Sequence, residues 1–295
     1  MSVQPVIQAQ ELAALLGRPD APVVLDVTVL LAPARFDGDY RPESGESLWR
    51  EAHLPGSRHV DLLTTLSDTS GSLHFTRPSA DGLAADLGRL GITPDSSVVL
   101  YDQGGATWAS RVWWLLRGVG VDARILDGGL ARWTALGLPV ESGEPTAAEP
   151  VQVPSSALAD RGLWVDRGEV ADIAAGRAPG TLVCALAPAQ FTGAENTRYS
   201  RRGHIPGSRN LSAKSMLDDR GLLREADELA GLAAAALADV DRPLVIYCGG
   251  GISACLTALG LVLAGHDTVQ VYDGSIEEWS ADPTLPMVTT TGGDE

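Results

Sequence analysis

Short runs of β-branched and aliphatic residues alternate along this chain with longer stretches in which apolar residues recur every three or four positions. The runs VVLDV (23–27), SVVLYD (97–102), ARILDG (123–128), TLVCAL (181–186), PLVIYC (243–248) and TVQVYDG (268–274) predict strands. The Ala- and Leu-rich segments 79–90, 107–118, 129–136, 225–238 and 253–264 predict helices. Strands and helices in this alternation predict an α/β fold of parallel sheets flanked by helices.

The pattern occurs twice. AHLPGS (52–57) recurs as GHIPGS (203–208), VVLYD (98–102) as LVIYC (244–248), and ILDGGLARW (125–133) as VYDGSIEEW (271–279). Positions 102 and 248 lie 146 apart, as do 133 and 279. The first pair lies 151 apart at its histidines, so a common order and nearly common spacing mark an internal repeat of one folding unit. Between the copies, VESGEPTAAEPVQVPSS (140–156) has the Pro, Glu, Ser and Thr content of a linker. The reading is an N-terminal domain over 1–142, a linker over 143–158 and a C-terminal domain over 159–295. Where the second copy has Cys248, the first has Asp102, so the halves share a fold but not a reactive group.

Composition narrows the function classes. The 295 residues suit two domains, and 44% hydrophobic residues with 20% charged ones suit a soluble globular chain. No apolar run approaches the roughly 20 residues of a membrane span. The start, MSVQPVIQAQELAALLG, lacks the basic and apolar regions of a signal peptide, which leads to the expectation of a cytoplasmic protein. A net charge of −16 argues against nucleic acid as a partner but allows a small anionic substrate where basic residues converge. The three cysteines, Cys184, Cys248 and Cys255, are an odd number, and they lack the histidine spacing of a zinc site. No disulfide framework, metal or cofactor is expected.

The candidate chemistry lies in CGGGISA (248–254). Cys248 ends a strand, and a helix begins near Ser253, where open α/β sheets bind ligands. Gly249, Gly250 and Gly251 let the backbone turn tightly so that loop amides, with Ile252 and Ser253, surround the sulfur. Such amides and a helix N-terminus stabilise a thiolate or a persulfide. The competing reading is a glycine-rich turn with an inert, buried cysteine. A cysteine phosphatase would need an arginine about six residues on to grip phosphate, and no Lys or Arg follows position 242. A nucleotide-binding turn would need G-x-G-x-x-G or a Gly-Lys-Ser/Thr ending, and neither is present.

From about Leu25 to Pro286 the chain resembles the tandem-domain rhodanese sulfurtransferases. The resemblance rests on the HxPGS loops, RVWWLLRGVG (111–120), LDGGLARW (126–133), YDGSIEEWSADPTLP (272–286) and the cysteine loop. It implies two rhodanese-like domains, each a mostly parallel sheet flanked by helices, the first inactive and the second catalytic. It implies a sulfurtransferase in which Cys248 takes sulfane sulfur from a small anionic donor, holds it as a persulfide and passes it to a thiol or cyanide acceptor. The loop is close to the C-G-x-G-V-T-A of the mercaptopyruvate branch. It lacks the two cations of the thiosulfate-type C-R-K-G-V-T, which favours 3-mercaptopyruvate over thiosulfate. A non-catalytic persulfide carrier or interaction protein is the alternative from another class.

The same resemblance marks further residues. The two arginines that clamp the mercaptopyruvate carboxylate match Arg198 and, at the second position, Gln190, which supplies no charge. Arg201 and Arg202 could compensate. Mercaptopyruvate members often carry a serine at the place of Gly250, within a relay whose other members match His74 and Asp61. Without that hydroxyl the relay cannot operate as drawn. His53 and His204 read as structural parts of the HxPG turns, Cys184 and Cys255 as core residues, and Trp113, Trp114, Trp133 and Trp279 as packing.

Overall fold

The computed structural model describes residues 4–144, 148–238, 240 and 242–290. Residues 145–147 of the expected linker, and the outermost residues of both expected domains, lie outside the described residues. Two compact units form. The first runs to Leu30 and adds Glu43–Arg161 and Asp219–Leu223. The second consists of Leu31–Pro42, Gly162–Asp218 and the chain from Arg224 onward.

The first unit contains β1 (Val6–Ile7), α1 (Ala9–Leu15), β2 (Val23–Asp26), α2 (Glu46–Glu51), β5 (Arg58–His59), α3 (Ala80–Arg89), β6 (Ser97–Tyr101), α4 (Thr107–Val119), β7 (Asp122–Leu126) and α5 (Gly129–Ala135). A small ribbon, β3 (Val29–Leu31) paired with β4 (Pro42–Ser44), brackets the segment that joins the second unit. The second unit contains β8 (Trp164–Val165), α6 (Arg167–Ala174), β9 (Thr181–Cys184), α7 (Pro188–Phe191), β10 (Arg209–Asn210), α8 (Ala226–Ala236), β11 (Leu244–Tyr247), α9 (Ser253–Leu263), β12 (Val269–Tyr272) and α10 (Ser275–Ala281).

Each unit holds a parallel five-stranded sheet. The orders are β1-β7-β6-β2-β5 and, read the same way, β8-β12-β11-β9-β10. The repeat is thus a repeat of topology. The six strand runs and five helices expected from the sequence are present with ends within two residues. The two-residue edge strands β1, β5, β8 and β10 carry too few residues to show alternation. Among the described residues no helix is long and apolar enough to cross a membrane.

The repeated motifs do the same structural work in both units. His53 stacks on Trp49 at 3.9 Å with Nδ1 2.7 Å from Trp49 O; His204 stacks on Phe191 at 3.7 Å with Nδ1 2.8 Å from Phe191 O. A carbonyl only accepts, so Nδ1 carries the hydrogen in each ring. Burial lowers the pKa of His204, which favours that neutral form. The motif serines meet the tyrosines that end the central strands: Ser57 Oγ lies 2.8 Å from Tyr101 Oη, and Tyr247 Oη donates to Ser208 Oγ at 2.7 Å. Those hydroxyls also accept the Leu54 and Ile205 amides. Trp133 and Trp279 fill equivalent cores and donate their indole N–H to Pro139 O and Pro286 O. The histidines and tryptophans read as structural are structural.

Candidate active site

β11 delivers Cys248 at its carboxyl end, where the residue is 2% exposed. The Cys248 amide donates to Ser275 Oγ at 3.1 Å, and that hydroxyl donates to Tyr272 O at 2.8 Å. Ile276 N donates to Cys248 O at 3.2 Å, and Glu277 N to Gly249 O at 2.8 Å. The loop is therefore stapled to the first turn of α10. Gly251 has φ +75°, a conformation that favours glycine. Gly249 and Gly250 lie outside the left-handed region, so the expectation that all three glycines serve φ is corrected. These two serve space: a Cβ at 249 would fall on the Tyr199 hydroxyl, and one at 250 would sit 3.2 Å from Glu277 Oε2. Ile252, not Ser253, stands at the helix cap, and Ser253 opens α9.

The first unit repeats this frame with other contents. Leu130 N donates to Asp102 O and Ala131 N to Gln103 O, both at 3.0 Å. The Asp102 carboxylate accepts from Gly104 N and Trp108 N at 3.0 Å and from Ala109 N at 3.3 Å. Burial pushes its pKa up to about 6, against the pull of those amides. The loop geometry thus builds an anion cradle, and in the first unit a side-chain carboxylate fills it. The offset of 146 maps the three donors onto Gly250, Ala254 and Cys255, of which Cys255 N already donates to Ile252 O at 3.0 Å.

Around the cysteine loop the second unit gathers residues that sequence reading did not single out. Tyr199 lies flush on Gly249, and its ring centroid is 6.0 Å from that of Tyr40. The hydroxyls of Tyr199 and Tyr40 stand 3.8 and 3.9 Å from where a Cβ at 250 would be. Tyr40 arrives on the segment 31–42, which is hydrogen-bonded along 196–202. Gly38 N donates to Thr197 O, Asn196 Nδ2 to Arg35 O, and Thr197 N to Asp37 Oδ1, each within 3.0 Å. The Arg202 guanidinium lies 2.9 Å from both Asp37 oxygens and holds that carboxyl below its usual range. No periodicity connects positions some 160 residues apart, so only the tyrosines themselves could have drawn notice.

The residues marked by sequence occupy distinct places. Arg198 donates to Ala32 O at 2.8 Å, while its buried Nε–H makes no hydrogen bond among the described residues. Arg202 is engaged by Asp37 and Asn196. Arg201 donates to the carbonyls of Trp279, Ser280, Asp282 and Leu285, a structural clamp on the end of α10. Gln190 is half-buried in α7. His74 is exposed in the first unit, and Asp61 there caps its own turn through Leu63 N at 3.0 Å. Cys255 is fully buried, its thiol donating to Gly251 O, and burial raises the Cys184 thiol to about 12. Both are core residues. A Ser44–His59–Asp26 line, with steps of 3.2 and 2.9 Å, ties β4 and β5 to β2; Ser44 Oγ also accepts Glu46 N.

Fold and loop together define a tandem α/β protein in which the central strand of one half ends in a cysteine and that of the other in a carboxylate held by loop amides. The rhodanese-like domain model matches residues 8–136 and 193–282. The chain belongs to the rhodanese family. Human 3-mercaptopyruvate sulfurtransferase is 35% identical over 81% of this chain and 82% of its own length. Thiosulfate/3-mercaptopyruvate sulfurtransferase 2 of Arabidopsis thaliana is 32% identical over 81% and 76%. The crystal structure of SseA from Escherichia coli, described as a 3-mercaptopyruvate sulfotransferase, superposes with a TM-score of 0.77 at 27% identity. It covers 92% of this chain and 99% of its own.

Proposed function

We propose that this chain is a cytoplasmic sulfurtransferase that moves sulfane sulfur from 3-mercaptopyruvate, through a persulfide on Cys248, to a thiol or cyanide acceptor. The Cys248 thiolate attacks the donor sulfur, an S–S bond forms and the C–S bond breaks. The outer sulfur then leaves to the acceptor, which regenerates the thiolate. The observation that carries the reading is the Asp102 carboxylate. Its oxygens lie two atoms beyond Cβ, as the outer sulfur of a cysteine persulfide does, and they are gripped by three loop amides. The loop around Cys248 differs at its cap, where Ile252 has φ −86° against +52° at Ala106, and Cys255 N donates to Ile252 O at 3.0 Å; the counterparts of the other two donors, the amides of Gly250 and Ala254, suit a persulfide anion.

Donor choice rests on charge. The loop has no cation, and Glu277 sets a carboxylate against Gly250, which disfavours a dianion such as thiosulfate. Among the described residues the buried Arg198 Nε–H makes no hydrogen bond, which suits it to the single carboxylate of mercaptopyruvate. Three free thiols suit a reducing compartment. The full-length protein should form thiocyanate from mercaptopyruvate and cyanide with ping-pong kinetics, and donor treatment should add the mass of one sulfur. Cys248→Ser should lose both signals and Cys255→Ser should keep them. Equal loss in the two variants would overturn the single-thiol assignment.

A further inference from the structure

The donor step has a proton to place. When Cys248 sulfur attacks the mercaptopyruvate thiol, the C–S electron pair departs on the three-carbon fragment as the enolate of pyruvate. The donor's hydrogen stays on the new persulfide, while the enolate needs one to become pyruvate. A single proton must therefore pass from persulfide S–H to enolate, with no net gain or loss. Gly250 offers no hydroxyl for this transfer.

A hydroxyl is nevertheless present. The Tyr199 phenol rests on the backbone of Gly249, the residue after the nucleophile, and 3.8 Å from where a side chain at 250 would begin. Its placement is enforced: Tyr199 N donates to Thr197 Oγ1 at 3.3 Å, and the ring packs on the core that includes Tyr247, Tyr272 and Ile276. Any side chain at 249 would expel it, so the glycine and the tyrosine imply one another. Burial, reinforced by Tyr40, Cys248 and Glu277 and opposed by Arg198, holds the phenol well above its ordinary pKa, so it keeps its hydrogen at neutral pH.

We propose that Tyr199 is the proton-transfer residue of the donor half-reaction, its hydroxyl giving hydrogen to the departing enolate and taking the hydrogen of the Cys248 persulfide. This rests on the reading of Cys248 as sulfur carrier. The acceptor half-reaction has no such demand: cyanide takes the outer sulfur of the persulfide anion, the S–S bond breaks, a C–S bond forms and no proton moves. The two halves therefore separate a chemical role from a packing role.

The test is single-turnover kinetics on the full-length chain and its Tyr199→Phe variant. With mercaptopyruvate, pyruvate release should fall about 100-fold, the low end for loss of a positioned general acid. With Cys248 preloaded by inorganic polysulfide, thiocyanate release on adding cyanide should stay within about twofold. Unchanged pyruvate release, or parallel loss in both halves, overturns the role of Tyr199. A wild-type protein that gains no sulfur from either reagent overturns the Cys248 reading and this inference with it.

Discussion

At the end of β6 the chain sets a carboxylate whose oxygens take up the amides of Gly104, Trp108 and Ala109; at the end of β11 it sets a thiol in a loop stapled the same way but with Ile252 at φ −86° where Ala106 has +52°. The staples from α5 and α10 are equivalent, yet the side chains around the loops differ at nearly every position. Gln103 stands where Gly249 does, and Ala131 where Glu277 does. One copy fills its amide cradle with its own carboxylate, and the other ends its strand in a thiol. A reactive loop is therefore more than its fold: it needs a nucleophile that leaves the donors available and neighbours that shape the approach.

The strongest way to break this comparison is to exchange the contents. Cys248→Asp should reproduce the self-filled loop and lower sulfur transfer by about 1000-fold or more, as loss of a covalent nucleophile does. Asp102→Cys, in the intact chain, should gain no second sulfur by mass, because Gln103 and Ala131 do not rebuild the surroundings. A doubly loaded protein would show that the cradle alone suffices.

Space comes next. Gly249→Ala places a methyl on the Tyr199 hydroxyl and should cost about 1–3 kcal/mol of stability, with slower donor loading. Gly250→Ala meets only the end of the flexible Glu277 side chain and should be nearly neutral in a melting experiment. Equal costs would mean that Tyr199 does not constrain the loop. The same geometry rules out converting the donor preference by planting an arginine at 249.

The Asp102 carboxyl gives the first unit a pH signature. Its pKa of about 6 lies above the ordinary 3.8, so the folded chain holds a proton that the unfolded chain releases. The contribution is fully present below 3.8 and is lost as pH rises to about 6, a change of about 3 kcal/mol. Asp102→Asn should flatten this slope. Denaturant unfolding at pH 4.5 and 7 reads it, and parallel slopes for both proteins would reject the assignment.

The smallest contrast concerns the motif serines. Ser57 Oγ accepts the buried Trp49 indole N–H at 3.1 Å, where Ser208 Oγ instead donates to Ile205 O, a carbonyl that keeps the Ser208 N–H as a second donor. Ser57→Ala should cost about 2 kcal/mol and Ser208→Ala about 1 kcal/mol in equilibrium unfolding. The reverse order would put the weight of the motif elsewhere.

The central strands, the long helices, the repeat and the cysteine loop could all be read from the chain, because each depends on local pattern or on a motif that recurs in order. HxPGS was visible as a repeat, but its partners, Tyr101 and Tyr247, emerge only when the strands are placed. Tyr199, Tyr40 and Glu277 were not legible. They meet at Gly249 and Gly250 from three separate stretches, and an isolated tyrosine in a polar loop carries no signal of what it will cover. The roles of the arginines were equally hidden: Arg201 and Arg202 look alike in sequence, yet one holds four carbonyls and the other the Asp37 and Asn196 side chains.

The exchange of segments bears on how the protein is made. Residues 31–42 belong to the second unit, and residues 219–223 return to the first, where Leu223 N donates to Asp127 Oδ1 at 2.9 Å. A ribosome adds about 5–20 residues per second, so the first sheet, complete at Leu126, waits roughly 5–20 s for its last segment. The segment bearing Tyr40 waits longer, until its hydrogen-bonding partners at 196–202 have emerged. The first half is not finished when its own stretch of message has been read, so a nascent chain released before residue 219 lacks a part of each unit rather than the whole of one.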